Sequence, residues 1–152
     1  MQTDYRNIYK TARESAGMTQ EKAAEALGVC PESIRAYETG LRVPSNYLAD
    51  MMVIAYNSQL LGLQHLRQSG DTGRGLLPEV EQMRLPEAVC KLLAATYRFA
   101  DQHRDRELID IARDGLIDET ERPVFDDIVK DLGDIIQAAL ELRCAEGAER
   151  RS

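Results

Sequence analysis

The side chains most able to do chemistry are few and scattered. Two histidines, His65 and His103, stand far apart without ligand-like neighbours, and Cys30, Cys90 and Cys144 form no CxxC pair. Such dispersed thiols make no disulfide framework and fit free cysteines in a reducing cytosol. The nearest approach to a metal-binding spacing runs from Asp110 to Glu121. Counting Asp110 as position 1, it places acids at 1, 5, 9 and 12 and glycine at 6, as an EF-hand loop does. Position 3, however, is Ala112, which offers no oxygen, and 108–113 reads as a helix running into the loop. A simpler reading ends that helix at Gly115, turns Ile117 to the core and lets Asp118 or Thr120 cap the next helix. No metal and no cofactor is expected, and no catalytic constellation is found.

Another set of residues is regularly placed. Thr19 is a good N-cap for a helix over 20–27, and Gly28 ends it. Pro31, favoured at a first helical position, opens a helix running to about 39, where Gly40 stops it. Cys30 stands where Ser or Thr would cap that helix, and is read as a weak capping thiol. Two short helices joined by so short a turn cross steeply, as in a helix-turn-helix. Ile34, Tyr37 and Leu41 fall at i, i+3 and i+7 and are expected to pack on Ala23, Ala24 and Leu27. Pro31, Glu32, Arg35 and Ala36 then share the opposite side.

The series Arg13-Glu14, Gly17, Thr19-Gln20-Glu21, Ala23-Ala24, Leu27-Gly28-Val29, Ile34, Tyr37-Glu38, Gly40, Arg42 and Pro44 resembles the Cro/C1 (XRE-type) helix-turn-helix family over residues 6 to about 57. The resemblance implies a lambda-repressor-like domain that binds double-stranded DNA, the second helix of the motif lying in the major groove. It implies Thr19 and Gln20 at a phosphate, where the helix dipole favours an anion. It places Glu32 and Ala36 on bases, Pro31 and Ser33 at the groove edge, and Arg35 on a guanine edge or a phosphate. The amides around Gly40 and the Arg42 side chain match a second phosphate clamp. Arg13 and Glu38 match a structural ion pair with no DNA role. Some residues depart from the usual pattern. Pro31 offers only shape and apolar contact, Ala36 only a surface for a thymine methyl, and Leu41 stands where a basic residue is common. Glu32 has the wrong sign for DNA, although a carboxylate accepts from cytosine N4.

These residues need elements to position them. The 152 residues are 43% hydrophobic and 30% charged, enough apolar material for a core and too much for a disordered chain. The net charge of −7 argues against nucleic acid, but residues 1–57 carry only −1 of it. Further helices are expected over 5–16, from Pro44-Ser45 onward, over 58–67, 85–100 and 106–113, and from Pro123 to about 144. No strand-like alternation is present, so the chain reads as all-α: a helix-turn-helix domain plus a C-terminal helical bundle. Residues 1–67 form the first domain, 68–84 a linker centred on the turn formers 69–75, and 85–152 an assembly domain. In the last helix Ile128, Leu132, Ile135, Ala139 and Leu142 make a heptad seam, with Val129, Ile136 and Leu140 as a second stripe. One stripe suits the 85–100 helix and the other a partner, so a homodimer through 85–147 is expected. The tail over about 80–145 is loosely similar to phage CII-type regulators. No apolar run approaches the roughly 20 residues of a membrane span, and Met1 to Lys10 is too polar for a secretory signal, so a cytoplasmic protein is expected.

The expected function is a DNA-binding transcriptional regulator, a prophage or bacterial repressor-like protein. The alternative is a protein-interaction module, antitoxin-like or anti-repressor, using the helix-turn-helix as scaffold. The acidic balance and the Pro31-Glu32 pair favour that alternative.

Overall fold

The computed structural model describes residues 7–145. They form nine helices: α1 (Ile8–Ser15), α2 (Gln20–Leu27), α3 (Pro31–Glu38), α4 (Asn46–Ala55), α5 (Gln59–Gln68), α6 (Asp71–Leu76), α7 (Leu85–Asp101), α8 (Arg104–Ile111) and α9 (Arg122–Cys144). No strand occurs among the described residues. The chain divides into two units, 1–77 and 78–152.

In the first unit the cap residues define the helices. Asn7 accepts from the Tyr9 and Lys10 amides, Thr19 from Lys22, Ser45 from Leu48 and Ser58 from Leu61. The first helix begins at Ile8; its expected start, Tyr5, lies outside the described residues. Ile8, Tyr9, Ala12, Ala23, Ala24, Leu27, Ile34, Tyr37, Met52, Tyr56 and Leu61 close one continuous core. Leu41 is not among them. It is 81% exposed, against expectation, because α3 ends at Glu38 and Gly40 turns the chain at φ +78° before helical spacing can carry Leu41 inward.

Asn46, on α4, accepts a hydrogen bond at 2.9 Å from Nε2 of the buried His65, whose Nδ1 lies 2.8 Å from the Tyr9 hydroxyl. With Nε2 carrying the proton, Nδ1 accepts from Tyr9 and the ring is neutral. Burial pushes this histidine below its usual pKa, while Asp50 acts weakly the other way.

The stretch 68–84, expected as a linker, is not bare chain. Residues 71–76 form α6, which packs on α5. Gly73, one of the expected turn formers, serves close packing, since a Cβ there would collide with the Leu66 carbonyl. Beyond it, Val80 is buried in the second unit and the Glu81 amide donates to Glu141 Oε1.

The second unit is an antiparallel hairpin of α7 and α9, with α8 packed on both. Ion pairs Lys91–Glu141 (2.6 Å) and Arg98–Asp134 (2.9 Å) between α7 and α9, and Arg104–Asp131 (2.8 Å) from α8 to α9, run in opposite sequence order on the two sides. Ala88 and Ala95 are buried on the α7 side, Ile128 and Ala138 on the α9 side. The expected seam holds at Ile128, Leu132, Ile135 and Leu142, buried or half-buried, but departs near its end: Ala138 is buried and Ala139 exposed, and Glu141 is fully buried. Two small alanines on α7 bring the helices close, and Lys91 supplies the counter-charge that lets an acid occupy the seam. Val129 and Ile136 of the second stripe are 49% and 55% exposed.

Residues 110–121 do not wrap around a centre. The α8 helix ends at Ile111, Gly115 turns at φ +78°, and Asp118 Oδ1 accepts from the Thr120 and Glu121 amides just before α9. Among the described residues no group of three or more His, Cys, Asp or Glu side chains gathers as a metal site would require.

Candidate nucleic-acid interface

The turn between α2 and α3 is set by its residue types. Gly28 ends α2 in the left-handed conformation, at φ +65°, and its amide donates back to Ala24 and Glu25. The Val29 amide then reaches Ala24 O at 3.0 Å, and Pro31 starts α3 two residues later. Cys30 is the N-cap but makes no cap bond to a backbone amide. Its sulfur instead lies 3.2 Å from the Ser33 hydroxyl, so the expected weak cap is a side-chain contact only.

With Ile34 and Tyr37 buried against α2, the remaining face of α3 turns outward. Glu32 and Arg35 are exposed; Pro31, Ser33 and Ala36 are half-buried. Among the described residues the Arg35 guanidinium makes no hydrogen bond or ion pair, although its charge helps hold the Glu21 carboxyl below its usual range. The main causes of that shift are the Glu21 amide and then the Thr19 hydroxyl. Thr19 thus both caps α2 and steadies the acid of its first turn.

The two flanks of α3 are held differently. On one, the Arg42 guanidinium lies over the Tyr37 ring, 5.6 Å from its centre, and the Arg42 amide donates to Ala36 O at 3.1 Å. The Gly40 amide donates to Tyr37 O, so the amides of Gly40 and Arg42 already have partners within the chain. This side offers a cation fixed by an aromatic platform more than a cradle of free amides.

On the other flank a buried network stands behind Gln20. Arg13 Nε donates to Glu38 Oε1 at 2.5 Å, Arg13 Nη2 to Glu38 Oε2 at 3.1 Å, and Arg13 Nη1 to Met18 O at 2.6 Å. The expected ion pair between the first and third helices is in place. Hydrogen bonding to Glu38 raises the Arg13 pKa against the opposing effect of burial. Burial pushes Tyr56, beside the pair, up to about 12, and the Glu38 charge adds to the rise. Gln20 joins this network, Nε2 donating to Glu38 Oε2 at 2.8 Å. Sequence alone separates Gln20 from the Arg13–Glu38 pair; nothing in a spacing of 18 residues signals that one carboxylate serves both.

Residues 10–63 match the model of the helix-turn-helix family. The match covers roughly a third of the chain, starting within α1 and ending within α5, so it reaches beyond the stretch of resemblance ending near 57. Neither the curated proteins nor the solved structures contain a match. Among the described residues no helix is long and apolar enough to cross a membrane. The capped α2, the left-handed turn at Gly28 and the proline-started α3 agree with the family match: residues 10–63 fold as a helix-turn-helix and match the model of that family, of the Cro/C1 (XRE) type.

Proposed function

We propose that this protein is a sequence-specific transcriptional regulator, of the prophage or bacterial repressor kind, that reads the major groove with α3. The observation that carries the reading is the outward face of α3: Glu32 and Arg35 are exposed, and Gln20 and Arg42 flank them in fixed positions. In this reading Arg35, Glu32 and Ala36 meet base edges, while Pro31 and Ser33 lie along the groove wall. Thr19, Gln20, Gly40 and Arg42 stand at phosphates, which set register without carrying sequence information.

Single domains of this type bind weakly, and dimers dock on half-sites about one helical turn apart. The second unit supports assembly. Leu85, Val89, Leu93 and Tyr97 line one exposed side of α7 at steps of four, and Val129 and Ile136 stand out from α9. A unit that leaves so much apolar surface uncovered is suited to burying it against a second copy. The expected homodimer spans 85–147; its last two residues lie outside the described chain.

In-vitro site selection with the purified protein tests the reading. A regulator enriches a two-fold symmetric site with half-sites about one turn apart. Failure to enrich any site favours the second reading, a protein-interaction module of antitoxin-like or anti-repressor type built on a helix-turn-helix scaffold. The exposed Glu32 on α3 and the exposed apolar side chains Leu41, Val43 and Tyr47 just beyond it are the observations on that side.

A further inference from the structure

We infer that Glu38, beyond pairing with Arg13, is a positioning residue for DNA: it orients the Gln20 amide so that one of its two N–H groups is presented to a phosphate. The inference rests on the DNA-binding reading above. A carboxylate only accepts hydrogen bonds, so the Gln20 group facing Glu38 must be the NH2 and not the carbonyl. That settles the amide orientation by chemistry. One N–H is used at 2.8 Å to Glu38 Oε2, and the second points away from the acceptor at the trigonal angle of the amide nitrogen. Without Glu38 the amide would turn freely at its last torsion, which is broad, and half of its orientations would offer the carbonyl oxygen to an anion.

Glu38 itself is held still. Arg13 grips both of its oxygens, at 2.5 and 3.1 Å, and Arg13 in turn is tied to the Met18 carbonyl in the turn before α2. The arginine also answers an objection of charge. A lone carboxylate this near a phosphate would repel it, whereas the buried Arg13–Glu38 pair is neutral as a unit. What reaches the DNA is an oriented dipole and not a net charge. Loss of this positioning should therefore weaken binding without altering the number of counterions released.

The test measures affinity for a mixed-sequence duplex across a range of salt concentrations, using the full chain. Glu38→Gln strands Arg13 and can unfold the domain, so the informative variant is the double replacement Arg13→Met with Glu38→Leu. Replacing both members of a buried pair by apolar residues commonly preserves stability. The double variant, checked for a retained melting transition, should bind about tenfold more weakly, as Gln20→Ala should, with the salt slope unchanged. Adding Gln20→Ala to it should weaken binding little further, because the amide is already unoriented. Three results would overturn the inference: parental affinity in the double variant, full multiplication of its effect with that of Gln20→Ala, or a lowered salt slope, which marks general loss of phosphate contacts. If the parent chain binds no duplex at low salt, the DNA reading itself falls, and the positioning role with it. If the double variant does not fold, the same comparison is made with Gln20→Asn, whose shorter amide loses Glu38 while the ion pair stays intact. Parental affinity there would also count against the role.

Discussion

The two units of this chain solve the burial problem in different ways. The first closes a core from five helices and places large side chains in it: Ile34, Met52 and Leu61 are essentially inaccessible. Its polar interior is fully engaged, with Arg13, Glu38 and Gln20 in one network and Tyr9, His65 and Asn46 in another. The second unit buries Ile128 fully, with Ala88, Ala95 and Ala138 beside it, but leaves Leu93, Tyr97, Val129 and Ile136 at its surface. The first unit offers a polar reading face on α3, although Leu41, Val43 and Tyr47 stand exposed just beyond it. The other keeps apolar surface in reserve. The networked first unit can position Gln20 and Arg42, and the second, on the proposed reading, would gain stability by assembling.

The largest effect is expected in the first unit. Glu38→Ala leaves the buried Arg13 guanidinium without its partner and should cost about 3–5 kcal/mol, because one member of a buried pair is removed. Thermal unfolding of the first unit should shift strongly downward, with the second unit's transition little changed. A small shift would mean that water reaches Arg13 freely.

The second unit should respond to concentration instead. Ile136→Lys and Val129→Lys alter exposed positions and should leave the helical content of α7–α9 intact while converting dimers to monomers in light scattering. The melting transition of the parent should rise with protein concentration, and that of the variant should not. A parent chain that is monomeric at all concentrations would mean that the exposed side chains of α7 and α9 do not serve self-assembly.

A smaller effect concerns pH. The folded state lowers the His65 pKa, so the unfolded chain binds this proton more readily. The neutral ring's contribution is fully present above the ordinary histidine pKa and is lost as pH falls from there through the lowered folded value. Stability of the first unit should decline on acidification below about pH 6.5, by at most about 1.4 kcal/mol per pH unit from this one group. Urea titrations at several pH values check the slope, and His65→Gln should flatten it. The least costly change to the fold is Arg42→Ala, which should lower affinity for all DNA sequences alike and reduce the salt slope by about one.

Much of the reading unit is legible in the sequence because its signals are local. Thr19, Gly28, Pro31 and Gly40 punctuate the chain within a few residues of the helix ends they determine. Leu41 is misplaced by periodicity, which carries the helix past the glycine that stops it. Gly73 reads as a turn former because its neighbours are turn formers, whereas its purpose is set by Leu66 on the preceding helix. His65 and Glu141 are not legible at all as core residues. Their partners, Tyr9 and Lys91, lie about 50 residues away, and only a folded chain shows which polar groups meet.

Entry of α3 into the major groove is decided by Glu32→Gln. Quantitative binding to duplexes varied one base pair at a time should show a changed preference at a single position, by roughly 1–3 kcal/mol of discrimination if the carboxylate accepts from a cytosine. Affinity for non-specific duplex should rise as well, since an acid is removed from beside the phosphates. Unchanged preference and unchanged affinity, together with tolerance of Ala36→Glu on the same face, would contradict that entry and leave α3 outside the groove.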